Sequence, residues 1–127
     1  MDLKKIKKIA IIGATTNKEK YGNIVLRDLK KKGFDVVPVT PKYEEVEGIK
    51  TVKNIKDLPK DTDLLVFIVP PKVGLEITKE ALNFGFKNLW YQPGAYSEDI
   101  DKYLKSNDIE AVHGSCIMVE TNNIYKK

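Results

Sequence analysis

Chemistry-bearing residues in this chain fall in short stretches, each just after an apolar run. The first is Gly13, Ala14, Thr15 and Thr16, followed by Gly22. A glycine lets backbone approach a phosphate closely, and the free amides at a helix start attract its charge. The GxGxxG dinucleotide fingerprint is absent, because Ala14 and Thr15 follow Gly13. A tight strand-to-helix turn accounts for the same residues without a ligand. The second stretch is Thr40, Pro41, Lys42 and Tyr43. An acidic residue near this point would hold the ribose hydroxyls of NAD, and a lysine stands there instead. Plain NAD is therefore disfavoured, whereas a lysine suits the ribose phosphate that NADP and coenzyme A both carry. Taken alone, Lys42 reads better as one more solvated surface lysine.

The third stretch is Val69, Pro70, Pro71, Lys72 and Val73. Its two prolines remove backbone donors and fix a rigid apolar edge, a platform for an adenine ring; Pro71 also opens a helix. Gln92, Pro93 and Gly94 form a turn with one amide side chain. His113 and Cys116, three residues apart, are the sole histidine and cysteine. A thiol and an imidazole could act as nucleophile and base, but a packed histidine and a buried structural cysteine are the more ordinary roles. One cysteine permits no internal disulfide and no thiolate metal cluster, which suits a reducing cytosol.

Strands and helices must alternate to position these stretches. Ile9 to Ile12, Val36 to Val39, Leu64 to Val69, Leu89 to Tyr91 and Ala111 to His113 are short, apolar and rich in branched or aromatic residues, as buried strands are. Tyr21, Val25 and Leu29 define one helix, with Gly33 just beyond its end. Val73, Ile77, Ala81 and Phe84 define the inward face of a second, running from Pro71 to Gly85. A third starts at Ser97, whose hydroxyl can cap free amides, and buries Ile100, Tyr103 and Leu104. The stretch from Glu44 to Lys60 is irregular and predicts a short strand and one helical turn. Right-handed crossovers then give an α/β, three-layer, doubly wound parallel sheet of about five strands, in the expected order 3-2-1-4-5. In such sheets the ligand crevice lies beyond the carboxyl ends of the strands, where all these stretches fall.

The chain has 127 residues, 42% hydrophobic and 31% charged, a composition that folds as a globule and is expected to form one domain. A net charge of +4 favours anionic small molecules, although the lysines are scattered and nucleic acid is a minor prospect. The lysine-led start breaks after Ile12 with no cleavage signature, and the longest apolar run falls far short of the roughly 20 residues a membrane helix needs. The expectation is a cytoplasmic protein without a membrane segment.

The stretches IAIIGAT, VPVTPKY, FIVPP, LWYQPGAYSED and CIMVE, in this order and spacing, resemble the stand-alone coenzyme A-binding domain family. The same Rossmann-like module opens the succinyl-CoA synthetase alpha subunit. The resemblance runs from about Lys8 to Glu120. It implies that Gly13, Ala14 and Thr15 hold a pyrophosphate and that Lys42 meets the ribose phosphate region. Val69, Pro70 and Pro71 would flank the adenine, and Gln92, Pro93 and Gly94 would lie near the pantetheine arm. Thr16, Gly22, Thr40, Pro41, Val73 and Cys116 complete the expected contacts, Cys116 near the thiol end of the coenzyme. Thr40 stands where relatives commonly have asparagine, and Ser115 where they commonly have arginine. The phosphorylated histidine of the synthetases belongs to a second domain, and the expectation is that this chemistry is missing here. The expectation is a carrier, sensor or regulatory module for coenzyme A or an acyl-CoA, possible as a homo-oligomer or beside a partner enzyme, with no catalysis of its own. An NADP-linked oxidoreductase component and a ligand-free interaction protein are the alternatives.

Overall fold

The computed structural model describes residues 1–125. Apolar side chains alternate along the first strand, β1 (Lys8–Ile12), so that one strand feeds two cores. Ile9 and Ile11 point to one face of the sheet, Ala10 and Ile12 to the other. The remaining parallel strands are β2 (Asp35–Val39), β5 (Leu64–Phe67), β6 (Leu89–Tyr91) and β7 (Val112–His113). A separate antiparallel hairpin is made by β3 (Glu45–Val46) and β4 (Ile49–Lys50). Helices α1 (Tyr21–Lys31) and α4 (Ile117–Glu120) cover the face of Ile9 and Ile11. Helices α2 (Pro71–Asn83) and α3 (Glu98–Ser106) cover the face of Ala10 and Ile12. The result is the expected three-layer α/β arrangement. Among the described residues, no helix is long and apolar enough to cross a membrane.

Strand order departs from expectation. The sheet runs β2-β1-β5-β6-β7, which is 2-1-3-4-5 counting its five strands along the chain, not 3-2-1-4-5. Leu64 pairs with Ile9 of β1 instead of with β2. The reason lies in the connection between β2 and β5, which contains no α-helix to carry the next strand outward past β2. It forms the β3–β4 hairpin and then a single parallel bridge, Val39 to Val52, on the outer edge of β2. The Thr40 amide donates to the Val52 carbonyl at 3.0 Å and the Val52 amide to the Pro38 carbonyl at 2.9 Å. With that edge taken, β5 pairs on the far side of β1. The topological switch, and the crevice it creates, therefore lies between β1 and β5.

The inward face of α2 also differs. Gly74, Thr78 and Ala81 are the buried residues, while Val73 is 48% and Phe84 52% exposed. Small residues bring α2 close to the sheet, and the Thr78 hydroxyl pairs with the buried Tyr91 hydroxyl. Burial pushes the Tyr91 phenol up to about 12. Val73 is thereby turned to the strand ends. The third helix follows the sequence closely: Ser97 Oγ accepts from the Ile100 amide at 3.2 Å, and Ile100 and Leu104 are buried, while Tyr103, expected on the same face, is only half-buried.

At the opposite end of α1, Lys32 is only 5% exposed. Its ammonium meets Asp28 at 2.7 Å, the Met118 carbonyl at 2.8 Å and Thr121 Oγ1 at 3.0 Å. A buried ammonium is tolerated because each proton has an acceptor. These bonds tie α4, and the residues just after it, to the back of α1.

Candidate functional site

A cleft of about 760 Å³ opens at the carboxyl ends of β1, β2 and β5. Its floor is the loop after β1. Gly13 adopts φ +100°, a left-handed conformation that other residues reach at a cost, and its amide donates to the Val39 carbonyl at 3.2 Å. A Cβ at Gly13 would stand 2.4 Å from the Ile68 carbonyl oxygen, and one at Gly22 would stand 2.1 Å from the Gly13 carbonyl oxygen. The two glycines therefore bring the start of α1, the first loop and the end of β5 into backbone contact. Lys20, the residue before helix α1, provides no side-chain cap, so no protein side chain competes for the leading amides of the helix.

The second wall comes from Thr40 to Tyr43. Thr40 is buried, and its Oγ1 accepts from the Lys42 amide at 3.2 Å, which turns the chain sharply after β2. Lys42 is left exposed at the rim. The Tyr43 hydroxyl meets Thr15 and Thr16, and these bonds, helped by the Lys42 and Lys20 charges, hold its phenol below the ordinary value. Two cations and two threonine hydroxyls thus gather around one ring at the edge of the first loop. The third wall is apolar: Ile68, Val69 and Pro70, with Val73 and Ile77 of α2. One end of the cleft is cationic and hydroxyl-rich, and the other is a hydrocarbon slot.

Ten of the residues singled out in the sequence come together here: Gly13, Ala14, Thr15, Gly22, Thr40, Pro41, Lys42, Val69, Pro70 and Val73. Thr16 stands at its edge beside Tyr43. Pro71 is the first residue of α2 and serves as its start. Gln92, Pro93, Gly94 and Cys116 lie off this wall, at the ends of β6 and β7. Gln92 is buried, its Oε1 accepting from the Ile117 amide at 2.8 Å and its Nε2 donating to Cys116 Sγ at 3.2 Å. Its side chain is spent on holding the Cys116 loop in place. Pro93 and Gly94 are exposed in the turn beyond.

His113 and Cys116 have separate partners. The imidazole stacks on Tyr96 with ring centroids 3.9 Å apart and planes within 3°. The Tyr96 hydroxyl donates to Asp101 Oδ1 at 2.5 Å, and burial followed by that bond drives its phenol well above the usual range.

Several cleft residues went unnoticed in the sequence. Lys20, the residue before α1, and Tyr21, placed by its spacing on the face of Val25 and Leu29 but 64% exposed, line the cleft, so the helix-start argument that selected Gly22 applies equally to them. Ile68 and Ile77 carry in the sequence only the apolar signature of core residues. Asn23, behind the first loop, is fully buried on the inward face of α1. A polar residue among Val25, Leu26 and Leu29 was the available signal.

Residues 7–122 match the family described as CoA binding domain. A conserved hypothetical protein from Pyrococcus furiosus superposes with a TM-score of 0.90 at 55% identity, over 91% of this chain and all (100%) of that one. A hypothetical protein from Pyrococcus horikoshii gives a TM-score of 0.86 at 34% identity, over 94% of this chain and 84% of that one. Among curated proteins, an ADP-forming acetate–CoA ligase of Methanocaldococcus jannaschii is 33% identical over 106 residues, 84% of this chain. That stretch is 15% of the ligase, so the chain corresponds to a small part of such relatives. With a family model spanning nearly its whole length and the sheet, glycines and cleft described above, this chain belongs to the CoA binding domain family.

Proposed function

We propose that this chain binds coenzyme A, or an acyl-CoA, in the cleft between β1, β2 and β5, and acts as a one-domain carrier, sensor or regulatory module. The observation that carries this reading is the backbone contact at Gly13 and Gly22. It leaves a side-chain-free cradle at an uncapped helix start, where a pyrophosphate can lie against amides. Thr15 and Thr16 add hydroxyls, and Lys42 faces the ribose phosphate from the rim. Val69, Pro70 and Val73 sandwich the adenine in the apolar slot. The pantetheine arm then runs over Gly94 towards Cys116, whose loop Gln92 holds in place. The absence of catalysis in this reading rests on the separate engagement of His113 by Tyr96 and Cys116 by Gln92. Acyl-group chemistry would then belong to a partner enzyme, in a compartment reducing enough for a free thiol.

The test is a thermal unfolding screen against coenzyme A, acetyl-CoA, dephospho-CoA, NADP and NAD. Ligand at about ten times its dissociation constant adds about 1.4 kcal/mol, which for a domain of this size raises the midpoint by about 4 to 5 °C. The expected shift appears with coenzyme A and acetyl-CoA, is smaller with dephospho-CoA and is negligible with NAD. A larger shift with NADP than with coenzyme A would replace this reading with a nicotinamide-linked one. No shift with any ligand would leave an interaction module.

A further inference from the structure

Asn23 is 0% exposed and lies outside the cleft wall, yet it is bonded to the loop that floors it. A buried amide is retained only where its donors and acceptor are satisfied. Its Nδ2 donates to the Thr15 carbonyl at 2.9 Å and to Glu47 Oε2 at 3.0 Å, and its Oδ1 accepts from Arg27 Nε at 2.6 Å. Arg27 reaches onward to the Lys18 carbonyl at 3.1 Å. Two residues one turn apart on α1 thus hold two carbonyls of the same loop. Glu47 enters from the turn of the β3–β4 hairpin, in a left-handed conformation with φ +50°, and its own carbonyl accepts from Lys30 Nζ at 3.2 Å. The bond from Asn23, with Lys18, Arg27 and Lys30 nearby, keeps the Glu47 carboxyl below its ordinary pKa.

The orientation of one peptide follows. In a trans peptide the carbonyl and the following N–H point in opposite directions. Drawing the Thr15 carbonyl inward to Asn23 therefore turns the Thr16 amide outward, and removes an oxygen that would repel an anion in the cleft. We propose that Asn23, supported by Arg27 and Glu47, is the positioning device of the phosphate loop, setting affinity for the pyrophosphate of the coenzyme without touching it. It also gives the hairpin a role in binding, as the arm that completes the hub. The proposal rests on the coenzyme reading above.

The test compares the dissociation constants of coenzyme A and of adenosine 3′-phosphate, which lacks the pyrophosphate, by calorimetry well below the unfolding midpoint. Asn23→Ala and Glu47→Ala are expected to weaken coenzyme A about tenfold while leaving adenosine 3′-phosphate within about twofold, because only the loop geometry is lost. Glu47→Gln keeps an oxygen that can accept from Asn23 and is expected to restore coenzyme A affinity to within about twofold of wild type. If Asn23→Ala does not fold, the half-buried Glu47 pair carries the comparison. Unchanged coenzyme A binding in both alanine variants, or equal losses for both ligands, overturns the positioning role. A wild-type chain that binds adenosine 3′-phosphate and coenzyme A equally well denies the loop any part in affinity and overturns it too. A wild-type chain that binds neither brings down the coenzyme reading itself, and the proposal with it.

Discussion

Gly22→Ala is expected to destabilise the fold by about 2 to 4 kcal/mol and to weaken coenzyme A binding at least about a hundredfold. The added Cβ would lie 2.1 Å from the Gly13 carbonyl oxygen, 3.1 Å from the Gly13 carbonyl carbon and 3.3 Å from Thr15 Cγ2. The nearest obstacle is backbone, so no rotamer change relieves it. Either the start of α1 or the Gly13 peptide must move, and these are the two surfaces between which the pyrophosphate would sit. Gly85→Ala, just past the end of α2 at φ +89° with nothing within 4 Å of the new atom, is the control. It carries the cost of the left-handed backbone, on the order of 1 kcal/mol, with no loss of affinity. Denaturant unfolding and calorimetry measure both quantities. Gly22→Ala with near wild-type stability and affinity would mean that the close approach is not what shapes the site.

Lys42→Ala should lower the affinity for coenzyme A by about 10- to 100-fold, the worth of one hydrogen bond to a charged group at about 1.5 to 3 kcal/mol. Dephospho-CoA, without the ribose phosphate, should lose little. The prediction rests on how the lysine is held: Thr40 Oγ1 fixes its amide at 3.2 Å, which places the side chain at the cleft rim on the same side as Lys20 and Tyr43. Raising the salt should narrow the difference between wild type and variant, because an exposed contact of this kind is screened. Equal losses for the two ligands would assign Lys42 to general attraction of anions instead of to the ribose phosphate.

What could be read from the sequence follows the range of the forces involved. Strands and helices announced themselves through local periodicity, as at Ser97, Ile100 and Leu104. Gly13, Thr40 and Val69 met in one cleft because the carboxyl ends of parallel strands share an edge whatever their order. Strand order itself depends on what occupies the outer edge of β2. The Val39 to Val52 bridge that settles this is a single pairing inside an irregular stretch, with no periodic signature. The face of α2 departs from its periodicity for a related reason: periodicity favours the largest apolar side chains, whereas close packing on the sheet selects Gly74, Thr78 and Ala81. Gln92 and Asn23 show the limit for polar residues. Both have types suited to ligands, but their hydrogen bonds run to Ile117, Cys116, Thr15 and Glu47, partners that only the folded chain brings near.

If coenzyme A occupies the cleft between β1, β2 and β5, its titration into the labelled protein moves the amides that line it, and chemical-shift mapping reads them one by one. The expected shifts concentrate at Gly13 to Thr16, the leading amides of α1, Thr40, Lys42 and Tyr43, and Ile68, Val69 and Val73, with weaker effects at Gly94 and Cys116. Saturable binding with the largest shifts elsewhere, for example on α3 or at the amino ends of the strands, would contradict the proposed site, and a spectrum unchanged at millimolar coenzyme A would contradict binding altogether.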